Sequence, residues 1–508
     1  MPNKFYLTTP IYYVNDVPHI GHAYTTIAAD VLARYKRMMG ADVYFLTGTD
    51  EHGEKIWNAA GKNLDDTKKL VEEKASGFKT AWQTLNISND DFIRTTEERH
   101  EKVVQKVFHK LLENGDVYLG EYEGWYCVPC ESFWSLSELK EDPEGRKLCP
   151  DCGRETEVLK EESYFFKLSK YQDKLLKHIK DNPDFIQPDS RRNEILKFIE
   201  GGLRDLSITR TAFPWGIEVP DNPKHVIYVW FDALINYISA LGWPDGEKFK
   251  KYWSADVHLM GKEIVRFHAV TWACMLIALG IEPPKKIFGH GWWTVEGKKM
   301  SKSKGNVVDP LALSNEYGVD AVRYFLMREV PFGVDGDYSK AAFIKRYNSD
   351  LANDLGNLLN RTLNMVEKYF DGVIPDPKGL EKFNEESELL LANKNLIKEN
   401  QERRLEDLSF SLLLIDIWSY VNQANLYIEN QAPWKLSKAG ETDKLSAIMY
   451  NLCFVLSALA YFVSPFMPEA SQKMWQQLGL KGNPSENVNL VGIKVAKADP
   501  LFPRIEIK

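Results

Sequence analysis

Phe5-Tyr6-Leu7-Thr8-Thr9-Pro10-Ile11-Tyr12-Tyr13, followed by Asn15-Asp16-Val17-Pro18 and then His19-Ile20-Gly21-His22, is the stretch that decides the fold. Its first nine residues read as a buried strand, and Asn15 to Pro18 carries turn chemistry. From Gly21 to Met39 the apolar residues Ile27, Val31, Leu32 and Tyr35 recur on one face of a helix. Val43-Tyr44-Phe45-Leu46, within Asp42 to Leu46, reads as a second strand. Strand, turn, helix and strand make a βαβ unit. The predicted class is therefore α/β, with a Rossmann-type parallel sheet covered by helices.

Outward from this unit the pattern changes twice. Between Asp116 and Pro220 it breaks into short strands such as Ser163-Tyr164-Phe165-Phe166, with several Pro and Gly and four cysteines. The α/β pattern resumes at Val226-Ile227-Tyr228-Val229-Trp230 and continues through Val257-His258-Leu259-Met260 and a helix near Ile264. The sheet domain is thus expected to be split in sequence (residues 1–116 and 226–342) around an insertion (117–225). After Phe343 the spacing of Leu351, Leu355, Leu358, Leu359 and Thr362 predicts a helix bundle over 343–508. Its further helices are expected near Ser387–Asn400, Leu408–Ile428 and Leu445–Val463. The apolar run from Ile448 to Met467 contains Asn451, Ser457 and Pro465, and reads as a buried bundle helix and not a membrane span.

The 508 residues suit about three domains, and 44 % hydrophobic with 27 % charged residues is a globular composition. A net charge of −8 excludes a protein that grips nucleic acid by overall charge, so RNA binding would need basic residues gathered on one face. No secretion signal opens the chain. Cys127-Val128-Pro129-Cys130 and Cys149-Pro150-Asp151-Cys152 are two C-x-x-C knuckles, with Gly153 placed for a tight turn. Four thiolates would fill a tetrahedral shell and leave no open position, which predicts one structural zinc and a reducing, cytoplasmic compartment. Free or disulfide-paired cysteines are the alternative. Cys274 and Cys453 lie in apolar stretches and read as core thiols.

Pro18-His19-Ile20-Gly21-His22 lies where the first strand turns into its helix, the end of a parallel sheet that binds ligands. Gly21 lets a flat ring approach the backbone. His19 and His22 near a helix N-terminus can donate to phosphate oxygens, although two solvated turn histidines would look the same. Lys299-Met300-Ser301-Lys302-Ser303-Lys304-Gly305-Asn306, preceded by Gly291 and Gly297, suits a mobile cationic loop over a polyphosphate, or else a plain solvated loop. Together the two strings resemble the HIGH and KMSKS signatures of class I aminoacyl-tRNA synthetases.

Further strings narrow the resemblance to the methionyl-tRNA synthetase family and extend it over nearly the whole chain. They are Thr9 to Asn15, Thr47-Gly48-Thr49-Asp50-Glu51-His52-Gly53, Val229 to Tyr237, and Gly261-Lys262-Glu263-Ile264-Val265-Arg266-Phe267-His268. Some members carry Asp where this chain has Glu263. The resemblance implies activation of methionine with Mg-ATP and transfer to tRNA(Met), by a monomer away from membranes. Catalysis would fall to His19, His22, Lys299 and Lys302, and ATP binding to His19, Gly21, His22, Gly261, Lys262, His290, Gly291 and Lys302. Methionine would meet Pro10, Ile11, Tyr13, Asp50, Trp230, Ala233, Leu234, Tyr237, Ile264, His268 and Trp272. Asp50 can pair with the α-ammonium, and the aromatics suit a polarizable thioether, though each aromatic alone reads more readily as core. In the helical part, Asn353 to Arg361 and Glu429-Asn430-Gln431-Ala432-Pro433-Trp434 resemble the family's anticodon-reading elements, with Asn357, Arg361 and Trp434 at the bases. A branched-chain synthetase would need a larger editing insertion, and a catalytically dead relative would not be expected to keep His19, His22 and Lys302.

Overall fold

The computed structural model describes residues 3–506 apart from 16, 131, 135, 137, 301–304, 378–384 and 497. The chain forms two compact units, residues 1–290 and 291–508. In the first, the opening stretch forms β1 (Lys4–Tyr13), α1 (Ile20–Met38) and β2 (Asp42–Asp50). Tyr6 to Pro10 are buried in succession, and so is every residue of β2 after Asp42. Strands covered on both faces carry such unbroken runs.

β2 runs four residues beyond the predicted end at Leu46. Thr47-Gly48-Thr49-Asp50 reads as loop chemistry, yet it is paired on both sides. Ile11, Tyr12 and Tyr13 of β1 face Gly48, Thr49 and Asp50, and β3 (Asp91–Arg94) flanks the other edge. Gly48 is required there, because a Cβ would stand 2.0 Å from the Ile93 carbonyl oxygen.

The chain then leaves the sheet. β4 (Val117–Cys127) and β5 (Glu157–Phe166) form a long antiparallel ribbon, with Val117 paired to Phe166 at its base and Tyr126 to Glu157 at its tip. β6 (Ile186–Gln187), β7 (Val257–Gly261) and β8 (Ile287–His290) rejoin the main sheet. Its order is β3-β2-β1-β7-β8-β6, with every neighbouring pair parallel. The segment read as an insertion therefore also gives the sheet an edge strand, too short to show as a periodic run. Strand order reverses between β1 and β7, where Leu7 faces Val257 and Thr8 faces His258. Such a reversal opens a crevice at the carboxyl ends of the two strands.

The second unit begins with a small sheet of Trp293–Val295, Lys298–Lys299 and Gly336–Tyr338. Helix follows. Lys340–Arg346, a π-helical stretch at Tyr347–Gly356 and Asn357–Phe370 succeed one another without a break. Glu385–Glu406, Phe410–Gln431 and Thr442–Val463 correspond to the three later predicted helices. In the last of these Ile448, Leu452, Val455, Leu456 and Leu459 are buried within the unit.

The Gly48 contact makes a direct prediction. Gly48→Ala should force apart β2 and β3 and cost at least about 1–3 kcal/mol, the range for overpacking a tight site. Differential scanning fluorimetry should record a lower melting temperature. An unchanged melting curve would mean that the two strands are not in this register.

Candidate functional site

The crevice between β1 and β7 is lined from α1 first. His19 is the helix N-cap, and its Nδ1 accepts from the Gly21 amide at 3.1 Å; His22 Nδ1 accepts from the His19 amide at 3.3 Å. With both Nδ1 atoms committed as acceptors, each neutral ring carries its proton on Nε2, as a donor. The rings stack at 3.7 Å, and a Cβ on Gly21 would meet the His19 ring at 3.0 Å. Gly21 thus makes room for His19 itself. Burial, with His19 alongside, holds the His22 imidazole well below its ordinary pKa. His290, at the end of β8, lies 2.5 Å from Thr25 Oγ1 on the same helix.

Asp50 ends β2 beside Tyr13 of β1 and is buried, and its backbone oxygen accepts from the Val14 amide at 3.1 Å. Pro10 and Ile11 lie at the register shift of β1 just before it. Trp230, Ala233 and Leu234 share the short helix Val229–Leu234, where Trp230 stacks flat on Phe267 at 3.9 Å. Gly261 ends β7, and Lys262 and Ile264 form the turn after it. A Cβ on Gly261 would stand 2.5 Å from the Glu263 carboxylate, which folds back over it.

The aromatic candidates form one hydrogen-bonded network. Tyr237 Oη lies 2.7 Å from His268 Nε2, and His268 Nδ1 lies 2.9 Å from the Ile264 carbonyl. A carbonyl only accepts, so Nδ1 donates and Nε2 receives the Tyr237 hydroxyl. Tyr237 also stacks on His258 at 4.2 Å. Trp272 Nε1 donates to His258 Nε2 at 3.4 Å, so the other nitrogen donates to Thr8 Oγ1 at 2.7 Å. His258 is a member the sequence reading missed; within an apolar strand it looked like filler. Burial, with His268 beside it, holds His258 well below its usual pKa, and burial pushes His268 down to about 4. The network is polar, aromatic and uncharged.

A charged group lies beside it. Asp232, fully buried, accepts from His52 Nδ1 at 2.7 Å and from His100 Nε2 at 2.6 Å. Burial opposes its ionisation, but the two imidazoles win and hold the carboxyl below its usual range. Neither His52 nor Asp232 was singled out in the sequence, although both stand in the family-like strings. His100 lies outside them.

The four cysteine Sγ atoms at the ribbon tip all lie within 4.8 Å of one another, with Cys127–Cys152 at 3.5 Å and Cys130–Cys149 at 3.9 Å. A tetrahedral ion with 2.3 Å bonds has ligand–ligand edges of about 3.8 Å. Gly153 takes the left-handed turn expected of it, and its amide donates to the Cys149 carbonyl. The cluster can therefore hold a metal, and its donor set fits zinc.

The remaining candidates belong to the second unit. Gly291 packs where a Cβ would meet the Val334 carbonyl carbon at 2.3 Å. Lys299 is on the second strand of the small sheet, its ammonium 5.0 Å from the centre of the Trp292 ring. Lys302 lies outside the described residues. Asn357 is exposed at the start of its helix, and Arg361, one turn on, pairs with Glu429 at 2.6 Å. Trp434 follows Ala432, left-handed, and Pro433, the break that ends the helix Phe410–Gln431. It is half-buried.

A parallel sheet with a histidine-capped helix at its strand ends and a four-cysteine cluster on a ribbon is an arrangement consistent with a class I tRNA synthetase. The family described as "tRNA synthetases class I (M)" matches residues 5–363. The chain is 54 % identical to a methionine–tRNA ligase of Caldanaerobacter subterraneus, aligned over 100 % of this chain and 80 % of that protein. It is 49 % identical to one of Thermotoga maritima, over 99 % and 81 %. A structure of Mycobacterium tuberculosis methionyl-tRNA synthetase in complex with methionyl-adenylate superposes with a TM-score of 0.95, at 44 % identity over 99 % of this chain and 100 % of that one. The chain belongs to the methionyl-tRNA synthetases, the class I ligases that join methionine to tRNA.

The buried histidines set a pH dependence. His22, His258 and His268 have folded pKa values below the unfolded value, so the unfolded chain binds more protons and stability falls as pH drops below about 6.5. His52 runs the other way, since Asp232 outweighs burial and raises it; its contribution is present below about 6.5 and is lost as pH rises through its folded value. Three outweigh one. His268 alone should remove about 2 kcal/mol between pH 6.5 and pH 5. Melting temperature should drop over that range, and drop less in His268→Gln. A flat profile would contradict the neutral network.

Proposed function

We propose that the β1–β7 crevice is the methionine-activating site of this synthetase. The observation that carries the reading is an uncharged network of Tyr237, His258, His268 and Trp272 beside the sheet end that bears Asp50. A methionine has one apolar, polarizable side chain and one ammonium; the aromatics suit the first and the Asp50 carboxylate the second. Pro10, Ile11, Tyr13, Trp230, Ala233, Leu234 and Ile264 complete the proposed lining.

The chemistry is positioning and charge stabilisation. The methionine carboxylate attacks the α-phosphate of ATP, the bond to the β-phosphate breaks and pyrophosphate leaves. The Nε2 protons of His19 and His22 stabilise the charge on the phosphate oxygens. Lys299 and Lys302 serve the leaving pyrophosphate, and Gly261, Lys262, His290 and Gly291 serve ATP. Mg2+ bound with ATP neutralises part of the triphosphate charge. The terminal ribose hydroxyl of the tRNA then attacks the acyl carbon, AMP leaves and the ester forms. Residues 1–116 and 226–342 act as the catalytic domain, 117–225 as a zinc-stabilised insertion and 343–508 as the anticodon reader. Six free cysteines suit a reducing cytoplasm. ATP–pyrophosphate exchange with each standard amino acid tests the reading. Only methionine should support fast exchange; equal exchange with another amino acid would overturn it.

The cysteine cluster should hold one zinc per chain. Cys127→Ser should release the metal and make the 117–166 ribbon more sensitive to protease. An active, chelator-free preparation without zinc would contradict this.

Trp434 follows the Ala432–Pro433 corner and is proposed to stack on an unpaired base, a contact worth ~1–3 kcal/mol. Trp434→Ala should lower tRNA-charging efficiency by roughly one to two powers of ten, with exchange almost unchanged. Normal charging, or a loss matched by unfolding, would rule out the role.

A further inference from the structure

The His52–Asp232–His100 cluster is a charged group buried where the proposed chemistry has no use for a charge. Asp232, His100 and Ser239 are 0–1 % exposed and His52 is 4 % exposed. A buried carboxylate is expensive, and breaking its pairing costs more than an apolar substitute would. Its placement gives it a purpose. His52 stands two residues after Asp50, and Asp232 two after Trp230 and directly before Ala233 and Leu234. His100 comes from a third element, the helix Glu98–Glu113, and its Nδ1 meets Ser239 Oγ at 2.7 Å, two residues after Tyr237.

His52 and Asp232 thus lie within two residues of a proposed methionine contact, His100 reaches the neighbourhood of another through Ser239, and none of the three lies among those contacts. The segment around Asp50 is held from its other side as well. The Glu51 carboxylate takes Arg94 at 2.7 and 3.0 Å and Thr96 at 2.6 Å, and Trp215 Nε1 donates to the Glu51 carbonyl at 2.7 Å.

We propose that Asp232, bridged by His52 and His100, consists of positioning residues that fix the Asp50 carboxylate relative to the Trp230–Leu234 helix and so set methionine recognition. This rests on the reading that the crevice takes methionine. The carboxylate fastens the two walls together, one bearing the group for the ammonium and the other the aromatic and aliphatic side chains. It is not among the residues proposed to meet ATP or the reacting atoms. Loosening it therefore affects how well methionine is held, more than the rate once methionine is seated.

The test is steady-state ATP–pyrophosphate exchange on the full chain. Asp232→Asn and His100→Ala should raise the methionine KM roughly ten- to a hundredfold, the scale of a misplaced positioning group. The KM for ATP and kcat should change by less than about threefold. His100→Gln keeps an N–H near the place of Nε2 and should recover most of the loss. A folded Asp232→Asn with normal methionine KM, or with ATP KM rising in step, overturns the proposal. If Asp232→Asn does not fold, the two His100 variants decide: equal behaviour of His100→Ala and His100→Gln overturns it. Asp50→Ala is run in parallel. A normal methionine KM there brings down the crevice reading and this inference with it, whereas a raised one beside a normal Asp232→Asn brings down this inference alone.

Discussion

The pairing of β1 with β7 is the constraint on which the first unit depends. Leu7 faces Val257 and Thr8 faces His258 across 250 residues of chain, and the Thr8 hydroxyl accepts from His258 Nδ1 at 2.7 Å. On one side of this seam the chain steps outward through β2 and β3, and on the other through β8 and β6. The ligand crevice of a doubly wound sheet exists only because these directions diverge. A long loop closes at modest extra entropy, so a ribbon and its cysteine cluster can be carried between the two halves without preventing the seam from forming. The seam also aligns the carboxyl end of β1, with Tyr13, with that of β7, at Gly261.

Charge in the crevice follows from burial. An isolated ion far from water is costly, so His22, His258 and His268 stay neutral, and the last two spend their nitrogens on tyrosine, tryptophan, threonine and backbone. The anionic groups are few and each has a task. Asp50 closes the end of β2, the place proposed for the substrate ammonium. Asp232 is clasped by two imidazoles. A neutral aromatic network beside these two carboxylates suits the proposed site for an amino acid with an uncharged side chain.

Much of this is legible in the sequence because the physics is local. The βαβ unit follows from one apolar run and one helical stripe. The cysteine pairs declare themselves by spacing, and the long helices by periodicity. The extension of β2 was hidden because Thr47-Gly48-Thr49-Asp50 carries turn residues, and only pairing to β1 and β3 makes it a strand. β6 is two residues long. His258 and His100 are single polar residues in apolar surroundings, and their meaning lies in partners 14 to 250 residues away. The stretch Tyr347–Gly356 carries Leu351 and Leu355 of the predicted helical stripe, but that spacing does not reveal its π-helical register. The signature histidines were found in the sequence; their stacking, and the tautomer it fixes, required the backbone geometry.

In the proposed site the neutral network and Asp50 together receive methionine. A crystal structure of the full chain with a non-hydrolysable methionyl-adenylate analogue tests it most directly. The α-ammonium should lie within hydrogen-bonding distance of the Asp50 carboxylate, with the thioether against Tyr237, His268 and Trp272. An analogue whose amino-acid part lies elsewhere, or whose ammonium is held by another group, would contradict the account.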